Sequence, residues 1–243
     1  MADAGTPRSG RSGPVLVLGA SSGFGFALAE RLHSSDTPVI GAARSSAPPG
    51  TAFDYRQVDV TDDGQMTRLV DSVVQEYGIP YGMVYCPSST AAVGHSWQLD
   101  IEDLSALFDV TLLGFVRAVN RCLPLMAQNG EGSIVLVGSR AARVPVETLA
   151  GYASAKAAAE QFARCLAQEA EPLGVRANII GISADTPLAR RHLDLRADTL
   201  GRTEAFPDLP AVEDNLALAE FLLTPQARFV TGQTIEARQP LWT

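Results

Sequence analysis

The stretch VLVLGASSGFGFALAERL, residues 15–32, decides the reading of this chain. Four apolar residues in succession, Val15 to Leu18, lead into Gly19, and an amphipathic run follows from Phe24 to Leu32. A strand that is apolar throughout, not at alternate positions, belongs in a sheet covered on both faces. Between strand and helix stand Gly19, Gly23 and Gly25, which allow a tight turn. The main-chain amides around Ser21, Ser22, Gly23, Phe24 and Gly25 can then approach a pyrophosphate at the helix N-terminus. Glycines also serve plain helix–strand packing, but the strand before and the helix after favour a dinucleotide site.

Outward from this loop the same alternation continues. Apolar runs at 38–43, 55–60, 83–86, 133–139, 175–181 and 233–237 read as strands. Helical patterns at 66–78, over a pair from 101 to 127, at 152–170 and at 216–223 lie between them. The expected architecture is an α/β fold: a doubly wound parallel sheet in a Rossmann-like, three-layer α/β/α single domain over 14–243. A flexible N-terminus, 1–13, precedes it, and 184–210 reads as a loop-rich insert. Ligands in such sheets bind beyond the carboxyl ends of the strands.

With 27 acidic against 19 basic residues the net charge is −8, which repels a phosphate backbone and argues against nucleic acid as a partner. No apolar stretch reads as the ~18–20 residues of a membrane span, and no signal-peptide core follows the N-terminus, so a cytoplasmic protein is expected. Cys86, Cys122 and Cys165 have no CxxC or Cys/His spacing, so they read as buried reduced thiols and no metal site is expected.

The end of the second strand bears on the choice of cofactor, because an acidic residue there accepts from a free ribose 2′-hydroxyl and repels a 2′-phosphate. This chain has Ala42-Ala43-Arg44-Ser45. With a guanidinium and no carboxylate, NADP(H) is favoured over NAD(H).

Tyr152 and Lys156 are four apart in a helix and share one face. A neighbouring ammonium favours the phenolate and should draw the tyrosine from its ordinary pKa of about 10 toward working range. Ser139 closes a strand thirteen residues earlier, where its hydroxyl can donate to a developing oxyanion.

Gly19-Ala-Ser-Ser-Gly23-Phe-Gly25 followed by Ser139, Tyr152 and Lys156 resembles the short-chain dehydrogenase/reductase family, and the resemblance extends over nearly the whole chain. It implies that Tyr152 is the general acid/base, that Ser139 orients a carbonyl, and that Lys156 also holds the nicotinamide ribose. It further implies adenine contacts from Asp59 and Val60, a substrate-covering loop over 184–210, and pairing into homodimers or homotetramers through helices at 111–127 and 152–170. Ala153, Ala155, Ala157, Ala158 and Ala159 would let those helices approach closely.

Several family landmarks are replaced. Tyr85-Cys86-Pro87-Ser88 stands for Asn-Asn-Ala-Gly at the cofactor side, and Pro87 removes an amide donor. Thr111 occupies the catalytic asparagine position. Ile182 and Ser183 take the place of a Pro-Gly pair at the nicotinamide.

The expected activity is NADPH-dependent reduction of a ketone or aldehyde, or the reverse oxidation, in the manner of a ketoreductase of specialised biosynthesis. Arg190, Arg191, Arg196 and Arg202 suit an anionic or carrier-tethered substrate, though solvated or ion-paired surface arginines would look the same. Arg140 and Arg143 are better placed to touch substrate, with Phe24 and Trp97 as apolar walls. His33, His95 and His192 show no metal or triad spacing and receive no catalytic role. Two other readings stay open: a non-redox lyase or dehalogenase on the same scaffold, and a cofactor-binding protein without turnover.

Overall fold

The computed structural model describes residues 13–202 and 209–236. Seven strands form one sheet: β1 (Val15–Leu18), β2 (Val39–Ala43), β3 (Asp54–Gln57), β4 (Gly82–Tyr85), β5 (Gly132–Gly138), β6 (Val175–Gly181) and β7 (Thr234–Glu236). Their order is β3-β2-β1-β4-β5-β6-β7, and every pairing is parallel. The order reverses between β1 and β4, which is where a doubly wound sheet opens a crevice at its carboxyl edge.

Both faces are covered, which is why the strands read as unbroken apolar runs. Alternate residues of each strand enter different cores. Leu16, Leu18, Met83, Tyr85, Ile134 and Leu136 pack with Phe115, Met126 and Leu166. Val15, Val17, Val84, Val135 and Val137 pack with Leu28, Leu32, Leu216 and Leu222. The first layer comprises α2 (Asp63–Tyr77), α4 (Gly114–Asn129) and α5 (Ala150–Ala170), and the second α1 (Gly23–Ser34) with α7 (Leu216–Leu222).

The helical pair expected over 101–127 is one continuous run, α3 (Ile101–Phe108), a π-helical turn over Asp109–Leu113, and α4. The wide turn frees a carbonyl at Val110, and the Tyr85 hydroxyl donates to it at 2.5 Å. That hydroxyl fits because residue 114 is glycine: a Cβ there would lie 2.3 Å from Tyr85 Oη. Tyr85, in place of asparagine, and this turn are therefore one structural unit.

Four expectations change. The stretch Ile101–Asn129 is, by length and composition alone, apolar enough to cross a membrane, with a mean hydropathy of 1.3 in its most apolar window. Here its Phe115, Ala118, Val119, Cys122 and Met126 are buried on the sheet. The insert is more ordered than the loop-rich reading implied, since Thr186 caps a helix, α6 (Pro187–Leu200), by accepting from the Ala189 amide, and Pro187 occupies its first turn. Of the cysteines only Cys122 is fully buried; Cys86 is partly so and Cys165 is exposed. Ala155 and Ala159 face the interior, leaving Ala153, Ala157 and Ala158 partly accessible. Residues 1–12 of the expected flexible N-terminus, 203–208 of the insert and Ala237 of the last apolar run lie outside the described residues.

Candidate active site

A cavity of about 820 Å³ opens at the carboxyl ends of the strands. The glycine loop forms one end. Gly19 has φ +84°, and a Cβ there would come within 3.0 Å of Pro87 N; a Cβ at Gly25 would fall 2.4 Å from the Gly19 carbonyl oxygen. These contacts let α1 start directly against β1 and β4. Ser22 is the N-cap of α1, yet its side chain caps nothing. Among the described residues no side chain accepts from the first-turn amides, whose residues Gly23, Phe24 and Gly25 line the cavity, as an anion site at a helix N-terminus requires.

Ser21, Ser22, Gly23 and Phe24 line this end together with Gly19 and Gly25, and Arg44, Asp59, Val60, Cys86, Pro87 and Ile182 line the adjoining walls. Arg44 follows directly on β2 and is exposed. The Asp59 carboxylate accepts from the Thr61 amide and hydroxyl at 2.9 and 2.8 Å. It is the one acidic residue on a wall that carries five basic ones, Arg44, Arg140, Lys156, Arg191 and Arg196, among the described residues. A cavity of this sign in a chain of net charge −8, beside uncapped helix amides, fits a polyanionic dinucleotide.

At the other end Ser139, Tyr152 and Lys156 converge on the same space. Ser139 ends β5 in extended conformation and its hydroxyl accepts from the Ala141 amide at 3.2 Å. Lys156 is buried, donates to the Val137 carbonyl at 2.9 Å, and has its Nζ 6.0 Å from the Tyr152 ring centroid. Burial pushes Lys156 down to about 8 and raises Tyr152 above its ordinary value of 10, with Ser139 pulling Tyr152 partly back. The expected drift of Tyr152 toward the phenolate is thus reversed: burial outweighs an ammonium that is engaged elsewhere. Burial likewise pushes the Cys86 thiol up to about 12, which makes it an inert part of the wall.

Other expected residues fall away from the cavity. Thr111 is fully buried behind it, within the π-helical turn, with its Oγ1 3.2 Å from Ser88 Oγ; Ser88, not Thr111, meets the space. Arg143 turns from the substrate side to join Glu160 and Glu236. Trp97 stacks on His95 and is largely exposed, so Phe24 alone of the two aromatic walls is in place. Arg190 pairs with Asp185 and Arg202 with Glu147, whereas Arg140, Arg191 and Arg196 line the cavity.

Two residues that the sequence did not single out stand close to the Ser139–Tyr152 pair. Glu160, on the Lys156 face of α5, accepts from the Ser139 amide at 3.0 Å. His192, on α6, packs edge-on against Tyr152 with centroids 4.5 Å apart. The i, i+4 spacing from Lys156 pointed to Glu160. No local signal pointed to His192, whose partner is forty positions away.

The short chain dehydrogenase family matches residues 14–192, most of the chain. The chain belongs to that family. Its relatives include benzil reductase ((S)-benzoin forming) IRC24 of Saccharomyces cerevisiae, 32% identical over 204 residues that cover 77% of this chain and 76% of that one. The 3-oxoacyl-[acyl-carrier-protein] reductase MabA of Mycobacterium tuberculosis is 27% identical over 226 residues, 91% and 89% of the two chains. The crystal structure of levodione reductase superposes with a TM-score of 0.86 at 21% identity, covering 94% and 96%, which shows the shared fold. Membership places this short-chain dehydrogenase among the NAD(P)-dependent oxidoreductases that interconvert CH–OH and C=O groups.

Proposed function

We propose that this short-chain dehydrogenase reduces a ketone or aldehyde to the alcohol with NADPH. The observation that carries the reading is the meeting, in one cavity, of an uncapped helix N-terminus and Arg44 at one end with Ser139, Tyr152 and Lys156 at the other. Reduced nicotinamide, when bound, supplies the hydride that the carbonyl carbon receives.

The chain's own residues do the rest. Tyr152, held in the neutral form by burial, donates its proton to the carbonyl oxygen, and Ser139 hydrogen-bonds the same oxygen and fixes the carbonyl. Lys156, anchored by the Val137 carbonyl, holds the nicotinamide ribose. Arg44 grips a ribose 2′-phosphate that no carboxylate at the end of β2 repels. Leu149, Ala141 and Leu188 offer the substrate apolar walls, and Arg140 and Arg191 suit a substrate with an anionic or carrier-tethered arm. The 3-oxoacyl-[acyl-carrier-protein] reductase relative supports that substrate type, and the benzil reductase relative supports a bulky ketone. Assembly as a homodimer or homotetramer through α4 and α5 in the cytoplasm belongs to the same reading.

A fluorescence titration with NADPH and NADH, on the native chain and on Arg44→Ala, tests it. NADPH is expected to bind more tightly, and Arg44→Ala to weaken NADPH alone, by roughly tenfold to a hundredfold for one charge-assisted contact. Failure of both nucleotides to bind overturns the reading.

A further inference from the structure

His192 belongs to α6, which closes over the cavity, and its ring is 7% exposed. Its ring nitrogen Nε2 is buried without a hydrogen-bond partner among the described residues. The ring lies edge-on to Tyr152, centroids 4.5 Å apart, on the wall of the same cavity.

A buried polar atom with no partner costs on the order of 1–3 kcal/mol, and one on the wall of a cavity can be satisfied by what the cavity binds. Burial also pushes His192 down to about 4, so the ring is neutral at physiological pH. A neutral imidazole carries one N–H and one lone pair, so Nε2 either donates or accepts, and a hydroxyl, which does both, satisfies it in either tautomer. No described side chain fills that role. The partner it lacks would come from a molecule bound beside Tyr152.

Resting on the carbonyl-reductase reading, we propose that His192 Nε2 hydrogen-bonds a hydroxyl carried next to the substrate's reacting carbonyl, so that this enzyme selects α-hydroxy ketones. The hydroxyl must sit near the reacting carbon because the imidazole packs against the ring of the residue that protonates the carbonyl oxygen. A ketone with a methyl in place of that hydroxyl leaves Nε2 unpaired and is discriminated against, the asymmetry seen wherever a site is built around a substrate hydroxyl.

The experiment uses the full chain and two isosteric ketones, 2-hydroxyacetophenone and propiophenone, with NADPH. The native enzyme is expected to show at least roughly a hundredfold higher kcat/KM for the hydroxy ketone. His192→Leu, which roughly keeps the volume and removes the polar nitrogen, is expected to bring the two ketones to within about tenfold. His192→Gln, whose amide can accept or donate, is expected to recover part of the preference and serves if the leucine variant folds poorly. Equal use of both ketones by the native enzyme, or a ratio unmoved by either variant, overturns the proposal and leaves the reductase reading standing. Turnover of neither also overturns it, and a parallel NADPH titration then shows whether the reductase reading falls too.

Discussion

The Glu160 carboxylate accepts a hydrogen bond from the Ser139 main-chain amide at 3.0 Å. The carboxylate is 1% exposed, it is paired with Arg143, and Arg143 in turn reaches Glu236 on β7. Gly138 makes the approach feasible, since a Cβ there would lie 2.5 Å from Glu160 Oε1. One buried anion thus locks the end of β5, and with it the Ser139 hydroxyl, against α5, which carries Tyr152 and Lys156.

Glu160→Ala leaves the Ser139 amide unpaired and Arg143 short of one partner. A loss of about 2–3 kcal/mol is expected, below the full cost of breaking a buried ion pair because Arg143 is partly solvated. Thermal unfolding should show it as a drop of roughly 5–10 °C. Because Ser139 loses its anchor, kcat for carbonyl reduction should fall by roughly tenfold or more. Glu160→Gln, which keeps one acceptor, should restore most of kcat but not all of the stability. Retention of native kcat in the alanine variant would sink the positioning role.

Tyr152 gives a pH dependence whose sign follows from its burial. Its pKa is raised, so the neutral phenol is the populated form through neutral and moderately alkaline pH. On the proposed mechanism reduction uses that form as proton donor and should hold a plateau that falls only as pH climbs through the raised pKa. Oxidation of the alcohol needs the phenolate and should rise over the same range. Tyr152→Phe should lower kcat/KM by roughly 100- to 10,000-fold and abolish both limbs. Initial rates in the two directions between pH 6 and 11 check this, and an acidic limb for reduction would contradict the assignment.

Most of the fold was legible because each layer leaves a local trace. Val15–Leu18, apolar throughout and followed by a glycine turn, reads as a doubly covered strand, and Gly19 and Gly25 mark a place where helix and strand touch. Of the candidate site, what the sequence offered was local: Tyr152 and Lys156, one helical turn apart, line the same cavity. His192 meets Tyr152 through a tertiary contact between α6 and α5, and a lone histidine among arginines carries no sign of it. Arg143 looked like a substrate contact by its nearness to Ser139, but Glu160 and Glu236, seventeen and ninety-three residues away, capture it. The tyrosine shift was misread because spacing shows that an ammonium is near but not that it is bound to Val137, nor how dry the pocket is.

His192 should also register in acid stability. Its pKa is about 4 in the folded chain against an ordinary 6.5, so between those values the unfolded chain binds more protons. Stability is then complete above about pH 6.5 and is lost as pH falls toward 4. Between pH 7.5 and 5 this one residue accounts for about 2 kcal/mol. Denaturant unfolding of native chain and His192→Gln at both pH values isolates it: the variant should lose less on acidification by about that amount. An identical loss in both proteins would mean that His192 titrates normally.

At the end of β2, a single exchange should reverse the cofactor preference. Arg44 lines the cavity with no carboxylate beside it on that strand end. Arg44→Asp supplies an acceptor for a free 2′-hydroxyl and a like charge against a 2′-phosphate. The NADPH-to-NADH ratio of dissociation constants should shift toward NADH by roughly a hundredfold or more, since an attraction and a repulsion change together. Equal weakening of both nucleotides would show that Arg44 supports the loop and does not read the phosphate.

The replaced landmark at Tyr85 yields a test of whether the divergent residues form one unit. The Tyr85 hydroxyl satisfies the Val110 carbonyl that the π-helical turn releases, in space that Gly114 leaves open. Tyr85→Phe leaves that buried carbonyl unpaired and should cost about 1–3 kcal/mol. Gly114→Ala in the native chain drives a methyl to within 2.3 Å of the same hydroxyl and, at 3.0 Å, against Val60 Cγ2. Overpacking of that kind should cost about 1–3 kcal/mol or more. In the double variant the atom responsible for the worse clash is gone, and the new methyl occupies the space it left. The two changes should therefore be less than additive, by roughly 1 kcal/mol, in a double-mutant cycle read from denaturant unfolding. Simple additivity would mean that the main chain around the π turn relaxes to admit either change alone, so that Tyr85 and Gly114 are not bound to each other as the geometry requires.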